Sequence, residues 1–145
     1  MSAVKLYHYV KLSALAGILD TGYLRPIDPK AETLSRAIWF TGAEIANREM
    51  PIRFVWQADC NHPTELPAKW RLLPFGMMAK LVGWTDAYVA VVRSIASGFG
   101  QNPDDWFGRT EPLDTMDMEV HVLGTDGVWR DGSLDDLLAA LKVAA

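Results

Sequence analysis

The groups in this sequence best able to do chemistry stand in three short apolar runs. His8 and Tyr9 lie in Leu6-Tyr-His-Tyr9, Trp39, Phe40 and Thr41 end Ile38-Trp-Phe-Thr41, and Glu119 and His121 alternate in Met118-Glu-Val-His-Val122. An imidazole donates from one nitrogen and accepts at the other, which suits a hydroxyl-bearing ligand. Aromatic faces suit flat or cationic rings. A fixed carboxylate lowers the cost of positive charge building on a sugar as its glycosidic-type bond breaks. Each group also has a plain structural reading. For His8 it is a core histidine with one satisfied nitrogen, for Trp39 and Phe40 ordinary core, for Thr41 a helix N-cap, and for Glu119 a side chain facing water. Asp117 shares the parity of Glu119, so an assignment shifted within that motif stays open.

Other chemistries lack their motifs. The chain has no G-x-G-x-x-G, G-x-x-x-x-G-K-[ST], G-x-S-x-G or H-E-x-x-H. Cys60 and His62 are two apart in Cys60-Asn-His-Pro63, which reads as a turn, and a lone cysteine more often packs as a small hydrophobe. His8, His62 and His121 are enough in number for a zinc site, but their spacing is not diagnostic, and no metal is expected.

The elements that must position these groups follow from periodicity. Alternation over residues 4–10 predicts a strand with Leu6, His8 and Val10 on one face. Residues 13–21 predict a short amphipathic helix capped by Ser13 and stopped by Gly22, followed by a loop to Arg36 and a strand over 37–41. Thr41 and Glu44 make a T-x-x-E capping box, which predicts one or two helical turns over 42–49. A strand is expected over 52–58. Residues 67–82 lean to helix with Pro74 and Gly76 interrupting, and 87–96 reads equally as buried helix or strand. A further strand is expected over 106–112. The clearest hairpin joins 118–123 to 128–130 through Gly124-Thr-Asp-Gly127, with Glu119 and His121 on one face and Met118, Val120 and Val122 on the other. Ser133 caps a C-terminal helix. Strands and helices in this order predict one α+β domain over 1–145.

Composition narrows the partners. The 145 residues carry 14 Lys+Arg and 18 Asp+Glu, a net charge of −4, and 50% are of hydrophobic type, the make-up of a folded domain. Residues 1–103 are net +3 and residues 104–145 net −7, with no basic cluster to neutralise phosphates, so nucleic acid is disfavoured. No stretch is apolar enough to span a membrane. A single cysteine and an N-terminus without a leader pattern predict a cytoplasmic location.

Taken together, Tyr-His-Tyr9, Ile18-Leu-Asp-Thr-Gly-Tyr-Leu24, Trp39-Phe-Thr41 and Glu119-Val120 resemble small bacterial and phage-associated domains of the ADP-ribosyltransferase superfamily, over about residues 4–123. The resemblance implies two small, mostly antiparallel sheets packed face to face with flanking helices, and NAD in the cleft between them. It implies that His8 bonds the adenosine ribose, Tyr9 stands beside nicotinamide, Trp39 or Phe40 shapes the pocket, Thr41 orders it and Glu119 is catalytic. The implied activity is ADP-ribose transfer from NAD to an unidentified acceptor, a protein side chain, a small molecule or, less favoured, a nucleobase, or to water, with release of nicotinamide. Val10 stands where related domains often carry Ser or Thr, and Arg25, Arg36 and Arg53 all remain open as the phosphate contact. A non-catalytic interaction module on the same fold is the competing reading, suited by six tryptophans, six methionines and the acidic last third.

Overall fold

The computed structural model describes residues 4–28, 30, 33–45, 48–58, 60, 62–67, 70–116, 118–133, 137 and 139. In chain order its elements are β1 (Val4–Val10), α1 (Leu12–Thr21), β2 (Tyr23–Leu24), β3 (Ile38–Thr41), β4 (Ile52–Ala58), β5 (Leu73–Pro74), α2 (Phe75–Val82), α3 (Asp86–Gly98), β6 (Trp106–Arg109), β7 (Leu113–Asp114), β8 (Glu119–Leu123) and β9 (Trp129–Asp131). Seven strands form one sheet in the order β5-β6-β3-β1-β4-β8-β9, and β2 pairs with β7 apart from it. Every pairing among the described residues is antiparallel. The α+β class is as expected. The expected pair of small sheets is not: there is one large sheet and a two-stranded ribbon, because Tyr7 pairs with Thr41 and joins two ladders, β5-β6-β3 and β1-β4-β8-β9, into one.

The two faces of the sheet are covered differently. Leu6, Val10, Ile38, Phe40, Ile52 and Phe54 face one way and meet Leu15 of α1, Leu24 of β2 and Leu113 of β7 in the main core. On the other face α2, α3 and the connection between them pack Phe75, Met78, Val92 and Trp84 against Trp39 and Trp106 at the β3–β6 end. Gly108, opposite Trp39 in the β3–β6 ladder, has no room for a side chain, since an added Cβ would lie 2.8 Å from the indole.

Local chemistry explains where the elements begin and end. Gly22 at φ 76° gives α1 its left-handed stop, as expected, but the helix starts at Leu12 after Lys11, so Ser13 lies inside it and caps nothing. Of the stretch expected to lean to helix over 67–82, only Phe75–Val82 is helical among the described residues: Pro74, in β5 opposite Phe107, stands just before α2 and marks its start, and Gly76 lies inside the helix without interrupting it. Residues 87–96 resolve as helix because Thr85 caps α3, its hydroxyl accepting from Tyr88 N–H at 3.1 Å. The helix expected over 42–49 is absent from residues 42–45 and 48–49. Thr41 Oγ1 accepts from Ala43 N–H at 3.1 Å in a tight turn, and Glu44, the would-be partner in the capping box, reaches Arg53 and Tyr7 instead. Part of the loop expected after Gly22 is β2, tied to β7 and held by Thr115, whose hydroxyl donates to the Gly22 carbonyl at 2.8 Å. The hairpin β8–β9 forms as expected, its turn fastened by Arg130 to Asp126 at 2.6 and 2.9 Å. The C-terminal helix expected from Ser133 lies largely outside the described residues. Among the described residues no helix is long and apolar enough to cross a membrane.

Candidate functional site

The site begins at the join between the two ladders. β1 pairs with β4 along its whole length, from Val4 opposite Ala58 to Val10 opposite Ile52, but with β3 only where Tyr7 meets Thr41. Past that point a cavity of about 800 Å³ lies between His8–Val10 on one side and Ala37–Phe40 on the other. Ser13, Ala14, Gly17 and Thr21 of α1 form a wall of small side chains, and the exit through Tyr23, Leu24 and Arg25 closes one end. Lys11 and Arg25 are the cationic side chains of this lining, and no carboxylate is among the described lining residues.

His8, Tyr9, Trp39, Phe40 and Thr41 all line this cavity. His8 sits in the strand split with Nδ1 2.7 Å from the Trp39 carbonyl oxygen. A carbonyl only accepts, so Nδ1 carries the proton and Nε2 is left as an acceptor. Burial of the ring pushes its pKa below the usual 6.5, partly offset by the Trp39 carbonyl. The Tyr9 hydroxyl donates to the Ala43 carbonyl at 2.9 Å and accepts from Ile45 N–H at 2.8 Å, so it fastens the 43–45 loop at the cavity rim. Trp39 donates from Nε1 to the Leu34 carbonyl at 2.9 Å, with its ring centre 5.8–6.0 Å from those of Phe75, Trp84 and Trp106. Phe40 is 1% exposed and packs on the His8 ring at 5.4 Å between centres, so it is core as well as cavity floor.

Glu119 is elsewhere. It pairs laterally with Val55, which pairs with Tyr7, and laterally paired residues share a face. His8, one residue along from Tyr7, faces the other way. The alternation read from the sequence is correct, with Val120 and Val122 against the core and Glu119 turned away from it, its side chain 62% exposed. The sheet therefore does not bring Glu119 and His8 into one cleft.

What it does bring together on the Tyr7 face centres on Arg53, which is 4% exposed. Its guanidinium lies between the rings of Tyr7 and Trp129, 4.2 and 4.5 Å from their centres. Nε donates to His121 Nδ1 at 2.9 Å and Nη2 to Glu44 at 3.3 Å, while His121 Nε2 lies 3.5 Å from Glu119 and 3.4 Å from Asp131. Arg53 was one of three open phosphate contacts, and these bonds commit it to the other face. Arg36 is not in the cavity lining, which leaves Arg25, joined by Lys11, which sequence reasoning did not single out. The signal for the Arg53 network was an arginine inside the apolar strand Ile52-Arg-Phe-Val-Trp56, a charge that folds only with partners.

Glu119, His121 and Asp131 could offer a metal three ligand atoms within 4.8 Å of one another. The donor set does not fit. Arg53 Nε–H occupies Nδ1, which puts the ring proton on Nε2 toward the carboxylates, whereas a metal-bound imidazole keeps Nε2 bare and donates from Nδ1. His62 Nδ1 lies 2.7 Å from the Thr64 hydroxyl, and its ring packs edge-on against Phe107.

The chain matches no family model, no curated protein and no solved structure. The functional reading therefore rests on the cleft and on the residues that line it.

Proposed function

We propose that the chain is an ADP-ribosyltransferase-like domain that binds NAD in the cleft between β1 and β3 and moves ADP-ribose to a protein or small-molecule acceptor. The observation that carries this is the cavity at the strand split, lined by His8, Tyr9, Trp39, Phe40 and Thr41 and charged by Lys11 and Arg25. Its volume of about 800 Å³ falls within the roughly 300–1,000 Å³ of ordinary cofactor sites. Two cations suit a pyrophosphate, and His8 Nε2 accepts from a ribose hydroxyl. In the reaction the bond from ribose C1′ to nicotinamide breaks, and its electron pair leaves with nicotinamide. The acceptor's lone pair forms the new bond to C1′ and its proton passes to solvent or a base, with water as acceptor giving hydrolysis. The resemblance assigns Glu119 to the cationic sugar, but Glu119 does not line this cleft, so its part in the reaction is what the Glu119→Gln variant below decides.

One observation favours a second reading, a non-catalytic module on the same fold: Glu119 is exposed on the sheet face opposite His8. Thermal unfolding with NAD, together with a nicotinamide-release assay, separates the two on wild type, His8→Ala and Glu119→Gln. NAD at about 100 times its dissociation constant adds roughly 2.7 kcal/mol, a midpoint shift of about 5–10 °C. The transferase reading expects that shift in wild type and Glu119→Gln but not in His8→Ala, with nicotinamide released only by wild type. A shift without release in any protein supports the module. No shift at millimolar NAD, with all three proteins folded, overturns the NAD site.

A further inference from the structure

A smaller pocket of about 250 Å³ opens beside the cleft, bounded by Leu34, Gln101 and Trp106, which line both cavities, and by α3. One wall carries Val91 and Ile95 of α3 and Phe99 just past its end, which are 53%, 58% and 78% exposed. Contiguous exposed apolar surface of this kind is uncommon on a soluble domain unless something covers it. None of its described lining residues is charged, and three of them, Tyr88, Phe99 and Trp106, carry rings. Two of those rings are fixed. Tyr88 accepts from Leu34 N–H at 3.0 Å and packs edge-on against Trp84, and Trp106 packs at 90° to Phe75. The Gln101 amide at the junction adds a donor and an acceptor in one plane.

We propose that this pocket is a second compartment of the cleft and receives an uncharged planar aromatic group belonging to the acceptor; this rests on the NAD reading of the larger cavity. The larger cavity already has the volume of a whole cofactor site and holds the cations that a dinucleotide needs. The side pocket is below the size of a complete ligand site, so it takes one group of a second molecule. The absence of charge in its lining selects against ionic groups, which would be desolvated without a partner. Fixed rings offer stacking faces at little ordering cost.

Indole serves as the probe, measured by equilibrium dialysis against wild type, Ile95→Glu and Phe99→Ser, each with and without saturating NAD. Both variants alter exposed side chains, so the fold and the NAD midpoint shift are retained. The proposal expects wild type to retain indole equally with and without NAD. It expects Ile95→Glu to weaken retention by more than about tenfold, from the charge set against the ring, and Phe99→Ser to weaken it less. Three results overturn it: no retention by wild type, retention unchanged in both variants, or displacement of indole by NAD, which would put the probe in the larger cavity. If NAD gives no midpoint shift, the NAD reading fails separately, and the NAD-free arms still decide whether the pocket takes an aromatic ring.

Discussion

At the scale of single residues, two side chains carry most of the consequence. His8 is held neutral by burial, so the unfolded chain takes up its proton near pH 6.5 while the folded chain takes it up only at lower pH. Between those two values the unfolded state binds more protons, and stability falls as the pH falls. Melting temperature measured from pH 7 to pH 5 should drop more steeply for wild type than for His8→Gln, and equal slopes would mean that His8 is solvated. Arg53 is buried between two rings with its partners arranged around it, and Arg53→Met should cost about 2–4 kcal/mol in denaturant unfolding, from lost ring contacts and an orphaned His121 Nδ1. Because Arg53 is not among the residues that line the cleft, the same variant should keep its NAD midpoint shift. The residues at this scale were partly legible. The His8 face and the parity of Glu119 follow from alternation alone, but whether they share a cleft depends on the register carried from β1 through β4 to β8, which no local pattern contains.

At the scale of elements, the strongest constraint is the contact between β3 and β6. Gly108 lies under the Trp39 indole, itself enclosed by Phe75, Trp84 and Trp106, so the ring cannot move aside. Gly108→Ala should destabilise by about 1–3 kcal/mol in chemical unfolding, and an unchanged midpoint would show that the aromatic cluster yields. Where sequence and structure part, tertiary contacts outweigh local signals. The Thr41–Glu44 capping box is intact as a motif, yet Glu44 is drawn to Arg53 and Tyr7 and no helix starts there. The α3 segment could not be told from a buried strand because Val91 and Ile95 are apolar yet exposed, which blurs its helical period. Pro74, read as an interruption, is where the helix of 75–82 begins, Gly76 does not interrupt it, and the hairpin β8–β9, with its period-2 alternation and glycine turn, was readable throughout.

For the whole molecule, the cleft is a product of topology. Two antiparallel ladders share one paired position, and the space past it becomes a cavity that α1 and the Tyr23–Arg25 exit enclose. Composition gave no sign of this, since the net charge of −4 averages over an acidic last third and a mostly apolar cavity whose charged lining residues are Lys11 and Arg25. That local field is what the account requires for an anionic dinucleotide. Isothermal titration calorimetry of NAD into wild type and Arg25→Glu, at low and high salt, tests it most directly. The account predicts one NAD per chain, weakened by salt in wild type, and a loss of about tenfold or more when Arg25 is reversed in charge. Wild-type heats that match a buffer blank, or an affinity indifferent to Arg25→Glu, would contradict the placement of NAD between β1 and β3.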